Sequence, residues 1–596
     1  MEAKAKSFTF LGNEGSVKIP FFQRAYIWDE DNWNDLLSDL LNENKTHFLG
    51  SLILKQERSL TGEAKEVLVI DGQQRLTTLS ILLKALYDSF SDEIRNNCIL
   101  PIRTHLFYKK NQTDSRYFVK IQHSHIDSQA YYKVIRGGID EELFDLTQEP
   151  SNKISWCYKH YMFKMAEMSE DMRKKLFNII TNSENKMLVV IDLEKDDNEQ
   201  AIFDTINSAG VRLTSADIIK NALFQKAIQI LEEKEAIKLY NETWCKVFLI
   251  DDETSNYWDS EKITGRLKRD NIEILLHCIA VIKGFYDPDK DTLDELSDLY
   301  KKEIAKIRNK EELQAFVNDV TEYAKIYKEK IPSFDYSTAL SFVDNVQRLF
   351  HILEVLQVST FHPFILYLFK THEKDRTELN LRLNELEKFV VRRMIAKEET
   401  KSYNKLCKEF IANESVLVKK LAETTPEKVS TGLRNIQNNY AALVLFWVEL
   451  NRRFKDHKYD NNELKYSYTL EHIMPQKWEE YWKDIPDKIL HDGTAMNAED
   501  SKKDRYNKVY WIGNMTLLTS KLNTALRNYV FENKMEGEGG KKGIKAYADL
   551  SITKEIVSAY DNGRKVWNES DILKRTKAFE VEIESIWGIS DLLKAG

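Results

Sequence analysis

At 596 residues the chain exceeds what one hydrophobic core supports, and about three domains are expected. Apolar residues make up 42% and charged residues 31%, with 20 glycines and 9 prolines, a balance that excludes a disordered chain and favours a compact, mostly helical one. The formal net charge of -8 excludes nucleic-acid binding through a global positive field, so such a partner must meet a local basic surface.

Cys98, Cys157, Cys245, Cys278 and Cys407 never form Cys-x-x-Cys. Neither a zinc ribbon nor a disulfide framework is indicated, and a reducing cytoplasm fits. The first residues lack an apolar core of signal-peptide length, and no run approaches the roughly twenty apolar residues of a membrane span, so no membrane is expected.

Along the chain, Ile19 to Trp28 sets Gln23 and Arg24 beside Tyr26 and Trp28, which suits either a sensing pocket for an altered base or phosphate, or a loop packed on a core. Phe48 to Leu54 supplies an apolar strand. Val67 to Ile70 reads as a buried strand that runs into Asp71-Gly72-Gln73-Gln74-Arg75 and then a helix. Strand, glycine turn and helix form a phosphate-binding geometry, because free N–H groups at the helix start face an anion. Arg75 would add a bidentate donor, and Gln73 and Gln74 neutral ones. The same pentapeptide reads equally as a helix start capped by Asp71, with Arg75 pairing at the surface.

Between Arg103 and Arg136, Lys109, Lys110, Arg116, Lys120 and Lys133 alternate with Phe107, Tyr108, Tyr117, Phe118, Tyr131 and Tyr132. This is a nucleic-acid surface or a solvated basic face over packed rings. Phe203 to Gly210 places Asn207 and Gly210 in turn positions and leads through Asp217 to Lys220. Residues 226–445 read as amphipathic helices, expected to space and couple the two ends of the chain. Arg392 and Arg393 there read as a helix-surface pair.

Near the C-terminus, Tyr468-Thr-Leu-Glu-His-Ile-Met-Pro-Gln476 offers a Glu-His dipeptide on a short strand. One carboxylate can meet a divalent cation while the neighbouring imidazole activates water. Trp511 to Asn523 adds two amides, Asn514 and Asn523, nine positions apart. No Gly-x-x-x-x-Gly-Lys-Ser/Thr loop is present, and Gly537 to Gly543 lacks its spacing.

The order Glu-His-Ile-x-Pro, Gly-Asn-x-x-Leu-Leu, then Asn resembles the HNH (ββα-metal) nuclease motif. The resemblance implies Glu471 and Asn523 as ligands of magnesium or manganese, His472 as general base and Asn514 as the residue that orients it. The motifs Pro-x-x-Gln-Arg-x-Tyr-x-Trp, Asp-Gly-Gln-Gln-Arg-Leu-Thr-Thr-Leu and Ile-Asn-x-x-Gly resemble the ParB-like, sulfiredoxin-type half of GmrSD-type restriction enzymes, and the HNH segment resembles their other half. That implies an α+β, mostly helical chain with a ParB-like domain at 1–225, a helical region at 226–445 and an HNH domain at 446–596.

By the same resemblance, the first domain binds and hydrolyses a nucleoside triphosphate, ATP or GTP. Gln23, Arg24, Asp71, Gly72, Gln73, Gln74 and Arg75 would line its nucleotide or DNA-sensing pocket, Gln73 and Arg75 in catalytic roles, with Asn207 nearby. The expected substrate is modified double-stranded DNA, as for a type IV enzyme, and a homodimer would bring two nicking sites to one duplex. Rival expectations are a phosphorothioate-sensing NTPase and nickase, and a nucleotide-gated binding module or a toxin acting on RNA.

Overall fold

The computed structural model describes residues 2–42, 48–56, 64–111, 113–123, 125–147, 149–194, 214–264, 267–332, 337–456, 462–482, 494–526 and 528–589. Asn207, with the turn around it, lies outside the described residues. The chain divides into two compact units, Met1–Tyr240 and Asn241–Gly596.

The first unit is built on a six-stranded mixed sheet of β1 (Glu2–Lys6), β2 (Ser16–Lys18), β3 (Ser51–Gln56), β4 (Glu66–Asp71), β7 (Ile121–Gln122) and β8 (Leu188–Leu193), in the order β1-β8-β3-β4-β2-β7. The short strands β5 (Phe107–Tyr108) and β6 (Phe118–Val119) pair apart from it. In β4 the side chains alternate: Val67 and Val69 enter the main core, while Glu66, Leu68 and Ile70 stay half-buried on the other face. This is the period-two pattern of a sheet whose faces meet different surroundings.

Against the core face packs α2 (Gln73–Asp88), whose residues from Leu76 to Tyr87 are all buried. Its near-continuous apolar run makes it a central helix and not a surface one. Around it lie α3 (Asp92–Leu106), α4 (His125–Arg136), α5 (Lys153–Glu167) and α6 (Glu170–Thr181). Facing the outer side of β4 are α7 (Ser215–Ile230) and α8 (Glu233–Tyr240), where Phe21 stacks edge-on against Phe224 and Tyr240. A helix labelled α1 (Glu30–Leu41) follows the aromatic segment near the N-terminus.

The second unit is mainly helical, with three two-stranded ribbons: β9 (Glu261–Thr264) with β10 (Leu267–Asp270), β11 (Ala339–Ser341) with β12 (Glu463–Lys465), and β13 (Tyr468–His472) with β14 (Met515–Thr519). Ile352, Val391, Ile395 and Leu443 share a core with Ile512, Met515, Leu517 and Phe579, so helices from the middle of the sequence pack directly on the C-terminal ribbon. Arg392 is buried here, not on a helix surface. Its guanidinium bonds to Glu584 at 2.8 Å and to the carbonyls of Thr424 and Trp587, because a buried cation persists only with a counter-charge and filled acceptors. Arg393 pairs with Glu398 at 2.8 Å. No helix among the described residues is long and apolar enough to cross a membrane.

Candidate functional site

In the second unit, β13 and β14 run antiparallel with Glu471 opposite Thr516 and His472 opposite Met515. The helix Ser520–Leu526 follows β14 at once and turns Asn523 back onto β13. Asn523 Nδ2 donates to Leu470 O at 2.9 Å and Thr469 Oγ1 at 3.0 Å. Its Oδ1 has no protein partner among the described residues. The ribbon therefore gathers Glu471, His472, Asn514 and Asn523.

Asn514 is fully buried and fully satisfied. Its amide donates to Met474 O at 2.8 Å and Val509 O at 2.9 Å, and its Oδ1 accepts from Met474 N at 2.9 Å and Trp567 Nε1 at 3.2 Å. Its own carbonyl accepts from Ile473 N at 2.8 Å. It thus clamps the chain just past His472 and is a positioning residue. The preceding Gly513 is needed because a Cβ there would stand 2.2 Å from Ile572 O on the helix Glu569–Trp587.

Lys534 completes this corner and was not singled out by sequence. Its fully buried ammonium pairs with Glu471 Oε1 and donates to His472 O at 2.7 Å. Burial pushes the Glu471 carboxyl up and the Lys534 ammonium down, each opposed by the other's charge. Burial and the Lys534 charge hold the His472 imidazole down at about 4, so it is unprotonated at neutral pH. Gln476 Nε2, which can only donate, lies 3.5 Å from His472 Nε2 and marks that nitrogen as the one with the lone pair. A detectable signal existed: Phe531, Lys534 and Met535 share the i, i+3, i+4 face of one helix, where a lysine between apolar residues needs a partner.

A carboxylate and an amide oxygen are hard donors of the kind magnesium and manganese accept, so the residues at this corner fit such an ion. Among the described residues no cluster of three or more His, Cys, Asp or Glu side chains could hold a metal by itself.

In the first unit a cavity of about 490 Å³ lies at the start of α2, lined by Arg24, Trp28, Asp71, Gly72, Gln73, Gln74 and Arg75 among others. Gly72 is the N-cap, at φ 91, a conformation that favours glycine, and Asp71 ends β4 instead of capping the helix. The first intrahelical bond is Leu76 N to Gly72 O at 3.1 Å, which leaves the first-turn N–H groups at the cavity.

The motif side chains act mostly as tethers. Gln73 Nε2 donates to Arg24 O at 2.9 Å, while Gln74 donates to Ala25 O at 3.0 Å and accepts from Ile27 N at 2.9 Å. Arg75 donates to Ser51 O at 2.7 Å and makes no surface pair. Burial raises the Asp71 carboxyl, opposed by the Gly72 N–H and Arg75.

Two sequence candidates lie elsewhere. Tyr26 is in the core, its hydroxyl bonded to Thr78 Oγ1 at 2.6 Å and Trp33 Nε1 at 2.8 Å, so its ring is not open to a base. Gln23 turns away from this cavity and lines another on the outer face of β4. The basic stretch divides as well. Arg103 and Lys109 lie over the Tyr117 ring at 5.0 and 5.1 Å, Lys110 and Arg116 over Phe118 at 4.8 and 5.6 Å, so those rings are covered by cations. Lys120 is buried on the carbonyls of Leu11 and Thr104.

Comparison with known families defines the class. The N-terminal domain of the GmrSD restriction endonucleases matches residues 8–224, and their C-terminal domain matches residues 427–580. The chain belongs to the GmrSD restriction endonucleases and carries both halves in one polypeptide. A curated relative, an uncharacterized protein of Methanocaldococcus jannaschii, is 26% identical over 262 residues, which cover 37% of this chain and 41% of that protein. The chain thus spans well under half the length of that relative.

Proposed function

We propose that this chain is a type IV, modification-dependent restriction endonuclease with an HNH site in its C-terminal part and a ParB-like domain that binds and hydrolyses ATP or GTP. The observation that carries this reading is the placement of Glu471 and His472 side by side on β13, with Asn514 clamping the residues after them and Asn523 tied to those before. Unprotonated His472 accepts a proton from water at Nε2, and the water attacks the phosphodiester in line. A magnesium or manganese ion, held by Glu471 and Asn523, would supply Lewis-acid stabilisation of the phosphate charge. Arg24, Arg75 and the first-turn N–H groups of α2 suit a triphosphate, with Gln73 and Gln74 holding Arg24 in place.

The test is digestion of glucosylated hydroxymethylcytosine DNA, phosphorothioate DNA, unmodified DNA and RNA, each with magnesium and with or without ATP or GTP. Cutting is expected for one modified DNA and is expected to fall about 10²- to 10⁴-fold in His472→Ala, with the melting temperature and nucleotide hydrolysis unchanged. Cutting of RNA alone would move the substrate to RNA. Absence of any His472-dependent cutting would remove the nuclease reading.

A further inference from the structure

A second cavity of about 490 Å³ lies on the outer face of β4, between that strand and α7. Its walls are apolar, from Leu68, Ile70, Ile218 and the Phe21 ring. Two polar groups from the body of the domain also line it, Gln23 and His123.

The hydrogen bonds decide what these two groups offer. Gln23 is buried, and its Nε2 donates to Val69 O at 2.8 Å and Ile70 O at 3.2 Å. Its Oε1 therefore remains an acceptor, without a protein partner among the described residues. Thr77 Oγ1 donates to Gln73 O at 2.7 Å and lies 3.0 Å from His123 Nε2. A hydroxyl has one hydrogen, so this oxygen accepts from His123, and His123 carries its proton on Nε2. The lone pair of Nδ1 is then the ring's second acceptor, also without a protein partner among the described residues. Burial holds the His123 imidazole down at about 3, which keeps it neutral.

The cavity thus presents two acceptors between apolar walls. Unpaired acceptors in a buried site favour a ligand that brings N–H donors, and reject one that brings more acceptors. An anion is disfavoured, because Lys18 at the rim is already paired with Glu66 at 2.7 Å. Apolar walls and an aromatic ring suit a flat heterocycle better than a polyol.

We infer that this cavity receives a nucleobase bearing an exocyclic amino group, of the cytosine or adenine type. The inference rests on the reading of the chain as a DNA-cutting enzyme, which makes a base extruded from the duplex the expected source. The base of a free nucleotide is the other source of the same chemistry. Gln23 is followed by Arg24, which lines the cavity at α2, and Thr77 joins His123 to Gln73, whose side chain holds Arg24. The two cavities therefore share one short segment and one chain of hydrogen bonds.

The experiment uses the full chain and two cavity-filling variants, Ile218→Trp and Leu68→Phe, each first checked for an unchanged melting profile. One arm titrates a short duplex carrying a single 2-aminopurine, whose fluorescence rises when the base leaves the stack. The other arm titrates free cytidine, adenosine, thymidine and uridine triphosphates by calorimetry. Wild type is expected to extrude 2-aminopurine, and a folded filling variant to weaken duplex binding by about tenfold and abolish the rise. A loss confined to the free cytidine and adenosine nucleotides would assign the cavity to the nucleotide's own base. Unchanged binding of both ligands in a folded variant, or equal binding of amino-bearing and amino-free bases, would overturn the inference. The nuclease reading fails separately, through an absence of His472-dependent cutting in wild type.

Discussion

In the β13–β14 corner the two side chains that would meet the phosphodiester stand next to each other on one strand, and residues remote in sequence brace them. At the start of α2 the arrangement is reversed, since Gln73, Gln74 and Arg75 are themselves braces, bonded to the carbonyls of Arg24, Ala25 and Ser51. Anion binding there falls to backbone N–H groups and to an arginine that the braces hold. The contrast teaches that a motif residue can serve chemistry or scaffolding, and that only its hydrogen-bond partners tell which.

The sharpest way to break this contrast is Asn514→Ala. Four buried bonds would be lost, with Met474, Val509 and Trp567 left unpaired, and a destabilisation on the order of 4 kcal/mol is expected in chemical denaturation. A variant that stayed stable yet lost cutting would instead give Asn514 a direct role in the reaction.

Next in size, Lys534→Met leaves the Glu471 carboxylate buried without its cation and should cost about 3 kcal/mol. Adding Glu471→Gln should restore much of that stability in a double-mutant cycle, although not the cutting. Additive losses would show that the pair does not couple.

The segment of Arg24 to Trp28 can be probed by pH. Tyr26 N donates to Asp127 Oδ2 at 2.7 Å, and burial pushes the Asp127 carboxyl from 3.8 up to about 6 in the folded protein, opposed by that N–H. A carboxyl raised on folding contributes stability that is fully present below its unfolded value and is lost as pH rises through about 6. Asp127→Asn should therefore be more stable than wild type above that pH, by on the order of 2 kcal/mol, with the advantage gone near pH 4. Thermal melts across that range measure it, and a constant difference at all pH values would contradict the assignment.

The smallest effect is expected from Tyr26→Phe, which removes the hydroxyl bonds to Thr78 and Trp33 and should cost about 1 kcal/mol. Binding of nucleotide and of modified DNA should not change. A selective loss of either would return Tyr26 to a sensing role.

Sequence by itself determined the parts carried by adjacent residues: the strand and glycine turn before α2, the Glu-His pair on a short strand, and an Asn placed to reach back to that strand from the next helix. These are local, because periodicity, turn chemistry and motif spacing act over a few residues. The tertiary structure alone decided that Lys534 faces Glu471, that Arg392 is buried against Glu584, that Tyr26 joins the core while Trp28 lines a cavity, and that Gln23 and Arg24 serve cavities on different faces. Each outcome depends on a contact between residues far apart in the chain, where burial forces every charge and polar atom to find a partner that no local pattern names.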